Sequence, residues 1–163
     1  WLSETPLQVS RGWDAQLNRT FTKTQFKHLA TQQSFYFINT HFDHQGAQAQ
    51  LQSALLLKSE VEQLPANSKV VLTGDFNVKP DSAPYLALSK TLHDSALIAN
   101  NKLSKDSGTF NGFGRDPANP IQTIDFIFVS KNLAVESYQV DNRRYNGLYP
   151  SDHEAVVASI ELK

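Results

Sequence analysis

Residues 70–80 read VVLTGDFNVKP. The apolar, β-branched start of this stretch predicts a short buried strand over residues 69–73. Gly74, Asp75 and Asn77 follow the strand at once. A buried strand that ends in an acid and an amide indicates polar side chains held at the edge of a sheet.

The spacing within this stretch predicts where each side chain points. Residues two apart on an extended chain project to the same side, so we expect Asp75 and Asn77 to face one cleft and Phe76 to pack on the opposite side. Gly74 is expected to let the backbone approach a substrate closely, because glycine has no side chain. Pro80 is expected to end the strand.

Patterns on both sides of this stretch predict further elements. Strands are predicted at residues 21–29, 34–40, 123–130, 134–140 and 155–162, and helices at residues 47–64 and 82–90. Either Asp81 or Ser82 is expected to cap the second helix. Residues 99–120 are rich in Asn, Gly, Ser and Pro, which predicts a long loop. Strands and helices alternate first and strands then follow one another, which predicts an α/β (α+β) fold with helices outside a mixed sheet.

Composition limits the class of protein. The 163 residues are 40% hydrophobic and 19% charged, as in a single globular domain. The net charge of −1 argues against a sequence-independent nucleic-acid binder, but it allows an enzyme that binds one phosphate. The chain has no cysteine, which excludes disulfides, thiolate metal ligands and a cysteine nucleophile and leaves the compartment open. No apolar run approaches the ~20 residues that span a bilayer.

The sequence begins with Trp1 instead of methionine. We expect that upstream sequence precedes it, so a signal peptide cannot be assessed.

Four polar clusters lie next to predicted strands. They are at residues 39–44, 74–77, 124–126 and 151–153. Each has a simpler interpretation by itself: a turn at Gly74, a structural acid at Asp125, a cap at Ser151 and a core histidine at His41. Buried charged groups need partners, however, and the clusters can satisfy one another around a metal ion and a bound anion.

The order of these clusters resembles the endonuclease/exonuclease/phosphatase superfamily. This group includes pancreatic-type deoxyribonucleases, abasic-site endonucleases, neutral sphingomyelinases and inositol polyphosphate phosphatases. The similarity runs through WLSETP, FYFINTHFDH, VVLTGDFN, GTFNGF, TIDFIFVS and YPSDH, and GDFN with a later SDH is its most specific pair. The resemblance implies a two-sheet β-sandwich flanked by helices. Residues 1–163 are expected to supply roughly its C-terminal half, mainly one sheet and its helices.

The resemblance also implies roles. The reaction would be Mg²⁺-dependent hydrolysis of a phosphoester by in-line attack of water, with Mn²⁺ as a substitute. His153 resembles the general base and Asp125 its carboxylate partner. Asp75 would take part in water activation, Asn77 would donate its amide to a phosphate oxygen, and His41 would hold the phosphate from another side.

The metal site is expected to be shared with sequence outside the chain. Asp152 would help to position Mg²⁺, while the family's other ligands, an asparagine and a glutamate, are expected upstream of Trp1. We therefore expect the 163-residue chain alone to bind metal weakly and to be inactive. We also expect the missing N-terminal half or another chain to cover its exposed sheet.

Residues 107–115 are the candidate segment for substrate contact. Arg115 is expected to bind a second phosphate, Asn111 to contact substrate, and Phe110 or Phe113 to stack on a base or sugar. A glycine-rich turn with core aromatics is the alternative.

Two positions depart from the pattern of the superfamily. Gln50 stands where relatives tend to carry arginine, which lowers the local positive charge. Glu154 follows the histidine where relatives usually carry an apolar residue, and we expect it to raise the basicity of His153.

Two rival functions remain open. One is a non-catalytic binding domain that retains the fold, and the other is a hydrolase with a serine nucleophile, for which no Gly-x-Ser-x-Gly is present. Within the enzyme interpretation the substrate is open between DNA, RNA, inositol phosphates, sphingomyelin and small phosphodiesters.

Overall fold

The computed structural model describes residues 1–104, 108–114 and 122–162. Within these ranges the chain forms eight strands and three α-helices. In chain order they are β1 Phe21–Lys27, β2 Ser34–His41, α1 Ala47–Glu62, β3 Val70–Asp75, α2 Ala83–Ser89, β4 Leu92–Asp94, α3 Ser95–Ile98, β5 Asn101–Lys102, β6 Asp125–Ser130, β7 Ala134–Asp141 and β8 Ala155–Glu161, with a 3₁₀ turn at Gly112–Gly114.

The strands form two mixed sheets. The larger has the order β1-β2-β3-β6-β4, and the smaller has the order β5-β7-β8. Among the strands of the described residues, only β2 with β3 and β5 with β7 pair in parallel. This architecture confirms the predicted two-sheet sandwich. The sequence led us to expect mainly one sheet, and the five-stranded sheet is indeed the larger. The last two long strands, β7 and β8, form a second sheet with β5.

Alternation along β3 and β6 creates two apolar layers, because successive side chains point to opposite faces. Leu72, Phe126 and Phe128 face the helices and join one cluster, while Val71 and Val129 join the other cluster, between the sheets. Full burial of each such side chain contributes about 1.5–3 kcal/mol. The central strands β3 and β6, which carry Asp75 and Asp125, are therefore packed on both faces, whereas β1 is exposed along most of its length.

Helix α1 receives its cap from a distant residue. It starts after Gly46 without a capping side chain of its own. Asp14 instead accepts hydrogen bonds from the backbone N–H groups of Ala49 at 2.7 Å and Gln48 at 3.2 Å. A carboxylate here also complements the positive end of the helix dipole.

The second helix has the expected N-cap position but not the expected cap. Ser82 occupies it, yet its hydroxyl donates to the carbonyl of Lys79 at 2.7 Å. The predicted loop also contains more structure than expected. It includes β5 at Asn101–Lys102 and the 3₁₀ turn, and β4 and α3 precede it.

Among the described residues, no helix is both long and apolar enough to cross a bilayer.

Candidate active site

Three of the expected site residues lie in one row across the larger sheet. His41 ends β2, Asp75 ends β3 and Asp125 begins β6. His41 pairs with Asp75 in the parallel ladder, and Asp75 pairs with Asp125 in the antiparallel ladder. A hollow of about 440 Å³ opens beside the row, and Asp75 and Asp125 both line it. The sheet register brings these distant residues together.

His153 joins the row from outside the sheet. Its Nδ1 lies 2.8 Å from Oδ2 of Asp125, and its Nε2 lies 3.8 Å from Oδ2 of Asp75. Burial alone would lower the pKa of His153, but the hydrogen bond to Asp125 and the nearby carboxylates raise it above the ordinary value. The imidazolium form is thus stabilised by the acid that fixes the ring.

Thr109 supports Asp125, and sequence reasoning missed it. Its hydroxyl donates to Asp125 Oδ2 at 2.6 Å and accepts from the N–H groups of Ile124 and Asp125 at 3.1 and 3.0 Å. Thr109 is fully buried. Burial raises the pKa of Asp125 even though the bonds to Thr109 and His153 oppose the shift. The threonine in GTFNGF was the available signal, but a lone threonine beside a glycine is typical of any turn.

The pKa of Asp75 shifts in the opposite direction from that of Asp125. Burial would raise the pKa of Asp75, but the bond from His41 and the backbone N–H of Asn77 outweigh it and lower the pKa below its usual value. His41 Nε2 lies 3.2 Å from Asp75 Oδ2. Two neighbouring carboxylates are thus shifted in opposite directions, an arrangement that separates proton-handling roles.

Asn77 reaches the site by a different geometry from the expected one. The strand ends at Asp75, and Asn77 has φ of 50°, so the two do not share an extended segment. The expectation of one extended segment was wrong, because the Asp75 carboxylate accepts the N–H of Asn77 at 2.9 Å where the chain turns. The two side chains nevertheless lie together, as predicted, since the Asn77 amide also donates to Asp75 Oδ2 at 3.4 Å. The Asn77 amide donates to the carbonyl of Phe42 at 3.1 Å.

The neighbours of Asp75 have clear packing roles. Phe76 is fully buried and contacts the rings of Phe42 and Phe128, as expected. Gly74 is required by packing within the sheet. A Cβ there would stand 2.2 Å from the carbonyl oxygen of Thr40, so the close approach of β2 and β3 needs glycine.

Asp43 and Gln50 clamp the loops that follow β2 and β3. The Asp43 carboxylate is 1% exposed and accepts four backbone N–H groups, those of Gln16, Leu17, Gln45 and Gly46. Burial opposes ionisation, but these bonds lower the pKa of Asp43 to about 2. Gln50 donates to the carbonyls of Asp43 at 2.8 Å and Asn77 at 3.1 Å. Gln50 therefore joins both loops through neutral hydrogen bonds.

Glu154 does not act on His153 as expected. It is 4% exposed and forms a bidentate pair with Arg144, with contacts of 2.7 and 3.1 Å. The Arg144 guanidinium also lies 3.6 Å from the centroid of the Tyr149 ring. The charge of Glu154 is thus matched locally, and its contribution is to fix the loop that carries His153.

Comparison with known proteins agrees with this geometry. A model of the Endonuclease/Exonuclease/phosphatase family matches residues 3–153. The chain belongs to this family. Members of the family are phosphoester hydrolases and typically use divalent metal ions.

Individual relatives show how much of a family member is present. A mannosyl-6-phosphatase from Bacteroides thetaiotaomicron is 36% identical with a TM-score of 0.90, over 99% of this chain and 64% of that one. An endonuclease/exonuclease/phosphatase from Bacteroides vulgatus is 36% identical with a TM-score of 0.92, over 100% and 63%. An uncharacterised protein of Acanthamoeba polyphaga mimivirus is 31% identical over 115 residues, which are 68% of this chain and 38% of the relative. The chain spans less than two thirds of each.

The expected substrate-contact segment of this family member is partly described. Asn111 lies beside the site, but its amide donates to the carbonyl of Ser151 at 3.3 Å and its Oδ1 accepts the N–H of Phe113 at 2.7 Å. Phe110 packs edge-on against the ring of His153, with centroids 5.0 Å apart. Arg115 lies outside the described residues.

The donor set suits a hard divalent cation only in part. Asp75, Asp125 and His153 offer ligand atoms within 4.8 Å of one another. Because Asp125 Oδ2 already bonds Thr109 and His153, this trio fits proton transfer better than a closed cation site. Asp152 is adjacent, and its carboxylate accepts from the Ser151 hydroxyl at 3.3 Å. Carboxylate oxygens of Asp75 and Asp152 are the ligand type that Mg²⁺ prefers.

Proposed function

We propose that this chain carries the acid–base centre of a Mg²⁺-dependent phosphoester hydrolase in which water attacks phosphorus in line. The 2.8 Å contact between His153 Nδ1 and Asp125 carries the proposal, because it leaves Nε2 directed toward the row of site residues. Membership of a family of phosphoester hydrolases supports it.

In this proposal His153 is the general base. Asp125 accepts a hydrogen bond from Nδ1–H and holds the ring in the tautomer whose Nε2 can take a proton from water. The positive charge that then forms on the ring is stabilised by Asp125 and, more distantly, by Asp75. A positioned base of this kind contributes about 10²–10⁴-fold to rate.

The remaining residues bind the phosphate. His41 and the Asn77 amide would donate to non-bridging oxygens as negative charge grows on them. Asp152, with Asp75, would hold Mg²⁺, and Mn²⁺ would substitute for it. When bound, the ion supplies charge neutralisation at the phosphoryl oxygens.

We propose a small phosphorylated molecule as the substrate. The phosphatase relative at 36% identity is named for a mannosyl 6-phosphate, which makes a phosphorylated sugar the first compound to assay. The net charge of −1 also disfavours a long nucleic acid.

The test is a phosphoester panel on the full gene product with Mg²⁺, Mn²⁺ or EDTA. His153→Ala should lower kcat/KM about 10²–10⁴-fold, the range for loss of a general base. His28→Ala is the matched control, because His28 is exposed in the turn after β1 and the hydrogen bonds of its ring are with nearby Thr31. Thermal unfolding of both variants should stay near that of the native protein. Full turnover in His153→Ala would show that the base is misassigned.

A further inference from the structure

A polar hollow lies beside His41, at the end of the row of site residues. Its volume is about 190 Å³, and residues before and within β1 and at the end of β2 line it. Arg19 and His41 are the only ionisable side chains in this lining, and Thr22 and Asn39 add polar groups. The hollow therefore offers positive charge and hydrogen-bond donors without a carboxylate.

Hydrogen bonds hold the backbone of Arg19 at this place. Its carbonyl accepts the N–H of Leu2 at 2.8 Å, and the carbonyl of the next residue, Thr20, accepts the hydroxyl of Thr40 at 3.1 Å. Thr40 immediately precedes His41 in β2. The backbone of Arg19 is thus tied to the strand that ends in the site.

One donor of the Arg19 guanidinium lacks a partner in the described part of the chain. Its Nε is buried and makes no hydrogen bond there. A buried donor without an acceptor costs free energy. Such a donor therefore calls for an explanation, and a bound ligand that supplies the acceptor is one. Arginine presents a planar fork of donors that matches the oxygens of a phosphate.

We propose that Arg19, with His41, binds a second phosphate group of a small-molecule substrate, beyond the phosphoryl group that reacts. This inference rests on the proposed function for the location of the reacting phosphate at His41, Asp75 and Asn77. His41 belongs to both places, so a substrate with two phosphates a few bonds apart would span them. The substrate class is a bisphosphorylated sugar or polyol.

Binding can be measured without turnover. Titration calorimetry in EDTA would compare glucose 1,6-bisphosphate with glucose 6-phosphate on the full gene product. We expect the bisphosphate to bind at least about tenfold more tightly, since charge-assisted bidentate bonds are among the strongest. Arg19→Gln should remove this preference. Arg11→Gln is the matched control, because Arg11 is exposed in the same N-terminal segment and bonds only the carbonyl of Gln16 at 3.4 Å.

Two further arms keep the test decisive. If Arg19→Gln does not fold, Arg19→Lys keeps the charge but loses the fork, and it should lower the preference severalfold. A tetrathymidylate titration distinguishes a nucleic-acid phosphate from a small molecule. An Arg19-dependent preference for the oligonucleotide would overturn the proposal, and so would an unchanged bisphosphate preference in a folded Arg19 variant.

The outcome is independent of the catalytic assignment. Loss of the preference in Arg19→Gln supports the second phosphate site even if His153→Ala retains turnover. Loss of turnover in His153→Ala supports the hydrolase even if Arg19→Gln changes no affinity.

Discussion

The two sides of the candidate site are held in place by different forces. On the sheet side, His41, Asp75 and Asp125 are fixed by strand register. On the loop side, His153 lies between β7 and β8 and depends on polar contacts, including Thr109 O with the Glu154 N–H at 2.6 Å. Backbone ladders tolerate changes of side-chain charge, whereas a charged tether does not. The two sides should therefore respond differently to substitution.

The strongest test replaces the residue that joins the two sides. Asp125→Asn should lower kcat about 10³–10⁴-fold, because an amide can hold His153 in the wrong tautomer. The acid raises the pKa of His153, and the base must be unprotonated. The acidic limb of the pH–kcat/KM profile should therefore move to lower pH in the variant.

Asp141→Asn is the control for that experiment. Asp141 contacts exposed Arg143, away from the row. A profile for Asp125→Asn that overlays the native one would mean that this carboxylate does not tune the histidine.

Breaking the ion pair of Glu154 and Arg144, which fixes the loop that carries His153, should have the next largest effect. Glu154→Gln leaves the Arg144 guanidinium without its counter-charge, and the free energy of unfolding should fall by about 3 kcal/mol. Arg144→Met combined with Glu154→Leu should recover much of that loss, because no charged group is then left without its counter-charge. Urea unfolding measures both. The surface pair of Asp141 and Arg143 provides the comparison, with a much smaller expected loss because solvent screens an exposed pair.

Next to the sheet side, the buried carboxylate of Asp43 fixes the loop that follows β2. Its pKa is about 2 in the folded protein against a model-compound value of 3.8, so its contribution is present above the higher value and is lost as the pH falls toward the lower. The shift corresponds to about 2 kcal/mol at neutral pH. Asp43→Asn should lose about this amount and flatten the acid limb of the stability curve. Parallel acid limbs in the two proteins would contradict the clamp.

Gln50 should have the smallest effect. Gln50→Ala removes two neutral hydrogen bonds, at the Asp43 and Asn77 carbonyls, which are worth about 1 kcal/mol in total stability. Because Asn77 is thereby loosened, kcat should fall severalfold more than for Gln52→Ala, a neighbouring helix position. Equal kinetics in the two variants would place Gln50 outside the support of the site.

Much of this arrangement was readable from the sequence, and the failures have physical causes. Alternation and β-branched runs located the long strands, and apolar strands ending in acids located the row. The turn at Asn77 was missed because the Asn77 N–H donates to the Asp75 carboxylate, a local contact that strand periodicity does not show. Thr109 and Arg144 were missed because their partners are distant along the chain. Strands of two or three residues, such as β5 at Asn101–Lys102, are too short to show any periodicity.

In the proposed hydrolase, the row of His41, Asp75 and Asp125 would link turnover to strand alignment. A slip of β2 by one residue would turn Ile38 out of the core and replace His41 opposite Asp75 with a neighbour from the other face. Phosphoester hydrolysis could then serve as a screen for correct assembly: in a library of repacked interiors, the clones that still turn over would be those whose central strands have paired as in the parent.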